Sequence, residues 1–370
     1  MQQNRKIIII GEPEIESELG SRNNAMNEIL EEYKSSHSEV MYIAGTTKLT
    51  PGSIVTKNGV KYLAICKHSK NNRLIFKESL KIVKLFKSVY APDIHIQFRV
   101  PSIFTLQLYI LLIGVINKDN ISFYIAGDWE QSLIYNYPNR NFIAKLLPFI
   151  QNCFIRNKKC VCTGEALAKK VEKYTRLTFE FYSTTHKEKD IKDDNKFNSR
   201  KICFIGRIEK LKNYKFFVNL SQSSYMKDNY TFHILGDGPE TDVLLEYIKD
   251  FDNVFHYGHL SERTEVQRVV DGCKYFILPS YTEGTSKTLP EVMARSTIPI
   301  AFKNVGANNS IIYENGKLVD VDDINAVVEY ITLMDRDLEL YKRTKSLCID
   351  YARSNSIDKQ VRKMFEFIYG

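Results

Sequence analysis

The chain has 370 residues, of which 44% are apolar and 26% charged, as in soluble globular proteins, and this length suits two domains. Its seven cysteines are an odd number without a CxxC pair, which argues against a disulfide framework or a zinc site and predicts reduced thiols in a cytoplasmic protein. A formal charge of +8 favours anionic partners. Because no zinc finger or aromatic RNA-binding pattern is present, nucleic acid is not expected among them.

Short apolar runs alternate with helical patterns from the N terminus onward. The opening MQQNRKIIIIGEPEIE has four consecutive isoleucines before a glycine and acids, which predicts a β-strand and not a signal peptide. The longest apolar stretch, residues 103–116, is shorter than the roughly 20 residues of a membrane span, so we expect a buried helix. The strand candidates of the first half are residues 6–11, 40–45, 94–98, 121–127 and 160–164.

A polar segment separates this half from the next. Residues 186–200, HKEKDIKDDNKFNSR, have almost no apolar content and predict an exposed linker.

Apolar residues at helical spacing predict a terminal helix over 357–369, packed against one of the domains. We therefore expect domains at 1–185 and 200–345 and a C-terminal helix at 346–370 that packs back on the first domain. The strand candidates of the second half are residues 201–206, 231–236, 254–258, 275–280 and 298–302.

The alternation of short apolar runs with helical patterns in both halves predicts an α/β fold with two Rossmann-like domains built on parallel sheets. If the two domains face each other, the carboxyl ends of both sheets point towards one interdomain cleft. Ligands of such sheets usually bind there, so the chemistry is expected in loops that follow strands.

The first such loop is GRIEKLKN, residues 206–213, which follows the strand KICFIG. Arg207 and Lys212 lie at the exit of this strand, where a guanidinium fork and an ammonium group can clamp a diphosphate. Neighbouring charges, among them Glu209 and Lys210, leave a solvated charge cluster as the alternative. A second loop, LGDGPE, residues 235–240, has two glycines that permit a tight turn before a helix.

The third loop is PSYTEGTSKTLPE, residues 279–291. Thr288 with Glu291 three residues later fits a capping box at a helix start, which explains Glu291 without a ligand. It does not explain Glu283 and the small residues after it, whose backbone amides beside a helix N-terminus can bind a phosphate. Both interpretations stay open on this segment alone.

Taken in order, these motifs resemble the donor half of the retaining glycosyltransferases of family four. The matching features are GR with a lysine five residues after the arginine, then GDGPE, then a strand that ends in glycine, and then the E-x7-E pair of EGTSKTLPE. The resemblance is close over about residues 200–320 and weak elsewhere. It implies the GT-B architecture of two Rossmann-like domains, with the terminal helix crossing back to the first domain.

The resemblance also implies a role for each matching residue. Arg207 and Lys212 would hold the diphosphate of a nucleotide sugar and neutralise the leaving group, a form of catalysis that needs no metal or other cofactor. Glu291 would accept hydrogen bonds from the ribose, and Glu283 would bind the hydroxyls of the donor sugar. The other donor-binding candidates are Gly284, Thr285, Ser286, Gly258 and His259.

The first domain matches the family less well. The loop GEPEIESELGSRNN offers Gly11 and Gly20 as an acceptor or phosphate loop, with an ordinary loop and helix cap as the alternative. Many members of the family have a histidine near the donor sugar where this chain has Ala126. Either the correspondence is shifted here, or Asp128 or another group takes the catalytic role in the first domain, or the activity is altered.

Two basic and apolar stretches, residues 77–90 and 141–159, predict either helices that lie on an anionic membrane or core helices with a solvated face. The function implied is a cytoplasmic retaining glycosyltransferase, working at the inner face of the cell membrane if its acceptor is lipid-linked. It would transfer a sugar from a nucleotide diphosphate sugar to a cell-surface polysaccharide or lipid-linked glycan. The alternatives are a non-catalytic partner subunit that binds a sugar nucleotide, and a sugar-nucleotide epimerase of the same fold.

Overall fold

The chain forms two compact units in a computed structural model. The first unit comprises residues 1–182 and 360–370, and the second comprises residues 183–359. The structure describes residues 5–16, 20–22, 24–67, 75–130, 133, 141–182, 184–283 and 286–370.

An eight-stranded sheet forms the centre of the first unit. Its order is β10-β9-β8-β7-β1-β4-β6-β5, and its strands pair in parallel except for the β5–β6 hairpin at one edge. A small hairpin of β2 and β3 lies outside this sheet. The strands are β1 (Lys6–Ile10), β2 (Ile15–Glu16), β3 (Gly20–Ser21), β4 (Glu39–Thr46), β5 (Ile54–Lys57), β6 (Val60–Lys67), β7 (His95–Val100), β8 (Ile121–Ile125), β9 (Lys159–Thr163) and β10 (Thr178–Phe181).

Helices cover this sheet, so its central strands are buried along almost their whole length, as expected for parallel strands. The buried helix expected over 103–116 is confirmed as α3, whose side chains are mostly buried. It begins after Ser102, whose hydroxyl accepts a hydrogen bond from the Thr105 N–H at 3.0 Å. The helices are α1 (Asn24–Tyr33), α2 (Ser79–Lys87), α3 (Ile103–Leu112), α4 (Asn141–Ile155) and α5 (Glu165–Val171).

The second unit has a six-stranded sheet in the order β13-β12-β11-β14-β15-β16, with all strands parallel. Both sheets are thus of the Rossmann type, which confirms the predicted α/β fold. The strands are β11 (Lys201–Ile205), β12 (Thr231–Leu235), β13 (Val254–His256), β14 (Tyr275–Leu278), β15 (Ile298–Phe302) and β16 (Lys317–Val319). The helices are α6 (Tyr214–Ser221), α7 (Ser224–Asn229), α8 (Thr241–Ile248), α9 (Arg263–Gly272), α10 (Thr288–Met293), α11 (Asn308–Ile311), α12 (Ile324–Arg336) and α13 (Leu338–Ser354).

The C-terminal segment 346–370 is not one helix. It contains the end of α13 and then α14 (Ile357–Tyr369), with a break at residues 355–356. Residues 360–370 belong to the first unit, where the Phe365 ring packs edge-on against Tyr33 with centroids 4.7 Å apart. The last turn of α14 also holds a histidine of this unit, since Tyr369 Oη and His37 Nε2 lie 2.6 Å apart.

The segment 186–200 is part of the second unit and not a separate linker, although many of its side chains are exposed as predicted. Its charged residues pair with the second unit: Lys192 with Asp271 at 2.9 Å and Asp190 with Arg263 at 3.0 Å. Lys196 is 5% exposed, and its ammonium group donates to the carbonyl of Val270 and to a threonine hydroxyl. Hydrogen bonds and ion pairs hold this segment to the fold together with the side chains of Ile191 and Phe197, which pack against the core of the second unit. Its two large apolar residues are too few for a sequence pattern to reveal this packing.

Within the described residues, no helix has the length and apolar content that crossing a membrane requires.

Candidate active site

The loops after β11 and β14 meet because these two strands are neighbours at the centre of the second sheet. The chain runs outward from β11 through β12 to β13 and then returns to the other side of β11 at β14. Ligands of open parallel sheets bind at such a change of direction, outside the carboxyl ends of the strands. A backbone hydrogen bond of 2.9 Å, from the N–H of Tyr281 to the carbonyl of Leu211, joins the two loops directly.

Lys212 and Glu283 form an ion pair at this point. Lys212 ends a short 3-10 turn after β11, and its Nζ lies 2.6 Å from Oε1 of Glu283 in the loop after β14. The two side chains are only 27% and 11% exposed, so water screens their charges incompletely. The structure therefore brings together a cation and a carboxylate that are 71 residues apart in the sequence.

Arg207 is more accessible. Its side chain is 65% exposed, and its Nε lies 3.7 Å from Oε2 of Glu209, a distance too long for a hydrogen bond. The guanidinium is thus available to a ligand.

Arg207 lines a cavity of about 380 Å³ between the exits of β11 and β12. Gly236 belongs to this wall and has a positive φ of 132°. A Cβ on Gly236 would lie 2.0 Å from the carbonyl oxygen of Gly206, so the close approach of the two loops requires glycine. The N–H of Gly236 donates to the carbonyl of Gly258 at 2.8 Å, which joins the loop after β13 to the same wall. The cavity is lined by Ile205, Gly206, Arg207, Leu235, Gly236, Asp237, His259, Leu260 and Val266.

Glu291 lies in the first turn of α10, but not in a capping box. Lys287 is the N-cap residue, with helical backbone angles and no capping hydrogen bond from its side chain, so Thr288 is already inside the helix. Glu291 Oε1 instead accepts a hydrogen bond of 2.5 Å from the hydroxyl of Thr185. The carbonyl of Thr185 in turn accepts from Nη1 of Arg263 at 2.9 Å.

Thr185 and Arg263 were not among the candidates from the sequence. Thr185 stands in a run of polar residues and Arg263 at the start of an ordinary helix, so neither position carried a signal. Of the remaining candidates of the loop, Ser286 is 6% exposed, whereas Gly284 and Thr285 lie outside the described residues.

The candidates of the first unit lie near the carboxyl ends of its strands or in the loop after β1. Asp128 follows β8 and pairs with Lys170 at 2.8 Å, and Lys170 also contacts Glu130 at 3.1 Å. Ala126 is exposed at the end of β8. Gly20 lies in β3, against the ring of Tyr62. The remaining candidate of this unit, Gly11, directly follows β1.

Comparison with known proteins agrees with this arrangement. Residues 186–347 match the family described as "Glycosyl transferases group 1". A protein of Campylobacter jejuni, N-acetylgalactosamine-N,N'-diacetylbacillosaminyl-diphospho-undecaprenol 4-alpha-N-acetylgalactosaminyltransferase, is 24% identical over 241 residues. The alignment covers 63% of this chain and 61% of that protein, so the chain matches about three fifths of this relative's length.

Solved structures share the fold over nearly the whole chain. Sucrose-phosphate synthase from Thermosynechococcus elongatus is 14% identical, with a TM-score of 0.68 and 98% of each chain covered. The HepE protein of Anabaena, solved with UDP and glucose, is 11% identical, with a TM-score of 0.67 and coverage of 98% of this chain and 99% of that one. At these identities the likeness concerns the fold alone.

The two Rossmann-like units and these neighbours define an α/β protein of the GT-B class. The match of residues 186–347 to the group 1 glycosyltransferases agrees with the resemblance seen in the motifs of the sequence.

Proposed function

We propose that this protein is a retaining glycosyltransferase that moves a sugar from a nucleotide diphosphate sugar to a glycan or lipid-linked acceptor. The observation that carries the proposal is the ion pair of Lys212 and Glu283, which joins the loops after β11 and β14, with the exposed Arg207 on the first of these loops. The cavity beside Arg207 offers room for the nucleotide. The match of this unit to the group 1 glycosyltransferases supports the donor class.

In this reaction the bond from the anomeric carbon to the diphosphate breaks, and a bond from an acceptor hydroxyl to the same carbon forms on the same face. The proton of the acceptor hydroxyl leaves with the diphosphate. Arg207 and Lys212 stabilise the negative charge that develops on the leaving group, while Glu283 orients the hydroxyls of the sugar. Because Lys212 already contacts Glu283, the donor binds to a lysine whose position the carboxylate has fixed.

Metal independence belongs to the same proposal. Two cations at the leaving group supply the charge stabilisation that a divalent ion provides in other transferases. We expect transfer in EDTA at the rate measured with added magnesium, and loss of transfer in EDTA that magnesium restores would contradict this part.

A lipid-linked acceptor at the inner face of the membrane is the acceptor class that we propose. The name of the Campylobacter relative specifies a diphospho-undecaprenol-linked acceptor for that protein. In the first unit, α2, α3 with the residue that follows it, and α4 carry large exposed apolar side chains, and α2 also carries exposed lysines, a composition that suits an anionic membrane surface. These side chains, with their exposed fractions, are Leu80 87%, Ile110 45%, Ile113 36%, Phe142 75%, Leu146 39% and Phe149 65%.

The proposal is tested by calorimetric titration of the full chain with UDP, GDP and their sugar conjugates. One nucleotide sugar should bind, and Arg207→Ala should weaken it roughly tenfold or more because a charge-assisted contact is lost. Lys215→Ala, which removes an exposed cation of the adjacent helix α6, should leave binding unchanged. If no nucleotide binds, the proposal fails.

Analysis of the products then separates the alternatives. Binding without transfer to any glycan would favour the non-catalytic partner subunit. A modified sugar that still carries its nucleotide would identify an epimerase.

A further inference from the structure

The sheet of the first unit has its own change of chain direction. From β1 the chain runs outward to β4 and β6, and it then returns to the other side of β1 at β7. Gly11 directly follows β1, and Arg99 is the last residue but one of β7, so both lie at the carboxyl edge of adjacent strands. This is the position at which open parallel sheets bind ligands.

Gly11 allows the side chain of Arg99 to pass directly against the loop. A Cβ on Gly11 would lie 2.8 Å from Cβ of Arg99 and 3.3 Å from its Cδ. Any larger residue would displace the arginine or the loop. The N–H of Gly11 donates to the carbonyl of Ile43 at 3.2 Å, which fixes the start of the loop to the neighbouring strand β4.

The charge of Arg99 has no counter-ion among the described residues. The guanidinium lies over the ring of Tyr124 at 4.2 Å, and its Nη1 is buried without a hydrogen-bond partner. No carboxylate of the described chain lies within ion-pair distance of it. By contrast, Lys170, near the same end of the sheet, pairs with both Asp128 and Glu130.

A partly buried guanidinium without a carboxylate is unfavourable unless an anion completes its contacts. A ring face attracts the cation but does not neutralise it. The charge also acts on nearby tyrosines: burial raises the pKa of Tyr33 and of Tyr42 far above the ordinary value, and Arg99 opposes that rise. The guanidinium fork matches the oxygens of a phosphate group.

We infer that Arg99, beside the Gly11 loop, forms an anion site in the first unit that binds a phosphate group of the acceptor. The inference rests on the proposed function and specifies the acceptor further. The phosphate comes either from a phosphate monoester, as in a sugar phosphate, or from the diphosphate that links a glycan to a lipid. Both present the same oxyanion chemistry to Arg99.

The test is calorimetric titration of the full chain with inorganic pyrophosphate after the donor site has been saturated with UDP. One further site should appear, and Arg99→Gln should weaken it about tenfold or more while UDP affinity changes less than about twofold. Lys48→Gln serves as the matched control, because Lys48 lies near the same edge but is 62% exposed and already paired with Glu16. Arg207→Ala should weaken the binding of UDP and leave the affinity of the pyrophosphate site unchanged.

The outcomes separate the two proposals. If UDP binds but no further pyrophosphate site exists, or if Arg99→Gln leaves that site intact, the anion site is refuted and the donor proposal stands. If UDP does not bind, the donor proposal fails. In that case, the pyrophosphate affinity of Arg99→Gln, compared with that of the unaltered chain, still tests the anion site.

Two further measurements complete the design. Crystals of the unaltered chain with UDP and tungstate should show an anomalous peak at Arg99 even if Arg99→Gln does not fold, and a peak elsewhere alone would overturn the assignment. Titration with inorganic phosphate distinguishes the sources. Pyrophosphate binding about tenfold tighter than phosphate indicates a diphosphate-linked acceptor, and equal or weaker binding indicates a monoester.

Discussion

The hydroxyl of Thr185 donates to Oε1 of Glu291 at 2.5 Å, so the carboxylate expected to bind the ribose is held by the segment through which the chain enters the second unit. Arg263 fixes this segment through the carbonyl of Thr185 and the carboxylate of Asp190, at 2.9 Å and 3.0 Å. Glu291 is therefore positioned by a residue that is distant in sequence and that no motif marks.

Removing the Thr185 hydroxyl should weaken donor binding. In Thr185→Val the carboxylate loses the charge-assisted hydrogen bond that positions it from this segment, so we expect KM for the donor to rise roughly tenfold with kcat nearly unchanged. Steady-state kinetics with varied donor would measure this. Thr185→Ser, which keeps the hydroxyl, should restore the original KM, and a serine variant as impaired as the valine variant would contradict a positioning role.

Removing the carboxylate of Glu283 should abolish transfer without unfolding the chain. In Glu283→Ala the donor sugar loses its carboxylate contact and Lys212 loses its partner, so we expect kcat to fall about a hundredfold or more. Glu209→Ala removes a nearby carboxylate that only weakly contacts Arg207 and should retain most of the activity. Normal turnover in Glu283→Ala, with an unchanged thermal midpoint, would refute the site.

The first unit should lose stability as the pH falls from about 6.5 towards 4. Burial lowers the pKa of His37 to about 4 and that of His95 to about 3, with Arg5 nearby opposing protonation of both. Between these pKa values and the ordinary pKa of 6.5, the unfolded chain binds protons that the folded chain does not. The free energy of unfolding therefore rises with pH in this range, and the contribution of these two histidines is constant above about pH 6.5.

This dependence is measured as the thermal midpoint of unfolding between pH 7.5 and pH 4.5. Replacement of both histidines by glutamine should make the decline shallower than in the unaltered chain. Equal slopes in the two proteins would show that other groups cause the decline.

The exposed apolar side chains of α4 should contribute to membrane binding. We expect the chain to float with vesicles of equal parts phosphatidylglycerol and phosphatidylcholine. A Phe142→Ser, Phe149→Ser double variant should bind about tenfold less, because two exposed aromatic side chains that would insert into the membrane are lost. Tyr313→Ser removes an aromatic side chain of the second unit that is 66% exposed and serves as the control. Equal flotation of both variants would argue against this surface.

The sequence was sufficient for features that depend on neighbouring residues. Apolar runs predicted the buried central strands, and the ordered motifs after them predicted the family. It was insufficient at the edge of the first sheet, where β5 and β6 were not predicted. The Asn58-Gly59 pair between them is a strong hairpin signal that would have revealed them.

The linker prediction failed for a related reason. A charged composition predicts exposure only when the charges lack partners, and Lys192 and Asp190 find theirs on one helix, α9, 79 and 73 residues away. The capping box failed because helical backbone angles begin at Lys287, one residue before Thr288, which the side-chain pattern alone does not reveal.

By itself, then, the sequence determined the α/β class, the order of the motifs and the residues that could carry charge. Only the tertiary structure decided which of them meet: Lys212 with Glu283, Thr185 with Glu291, and Arg99 with Gly11. The physical reason is that strand propensity is local, whereas the order of strands in a sheet is set by packing over the whole unit. That order determines which loops lie side by side, and hence which charges are paired and which remain available to a ligand.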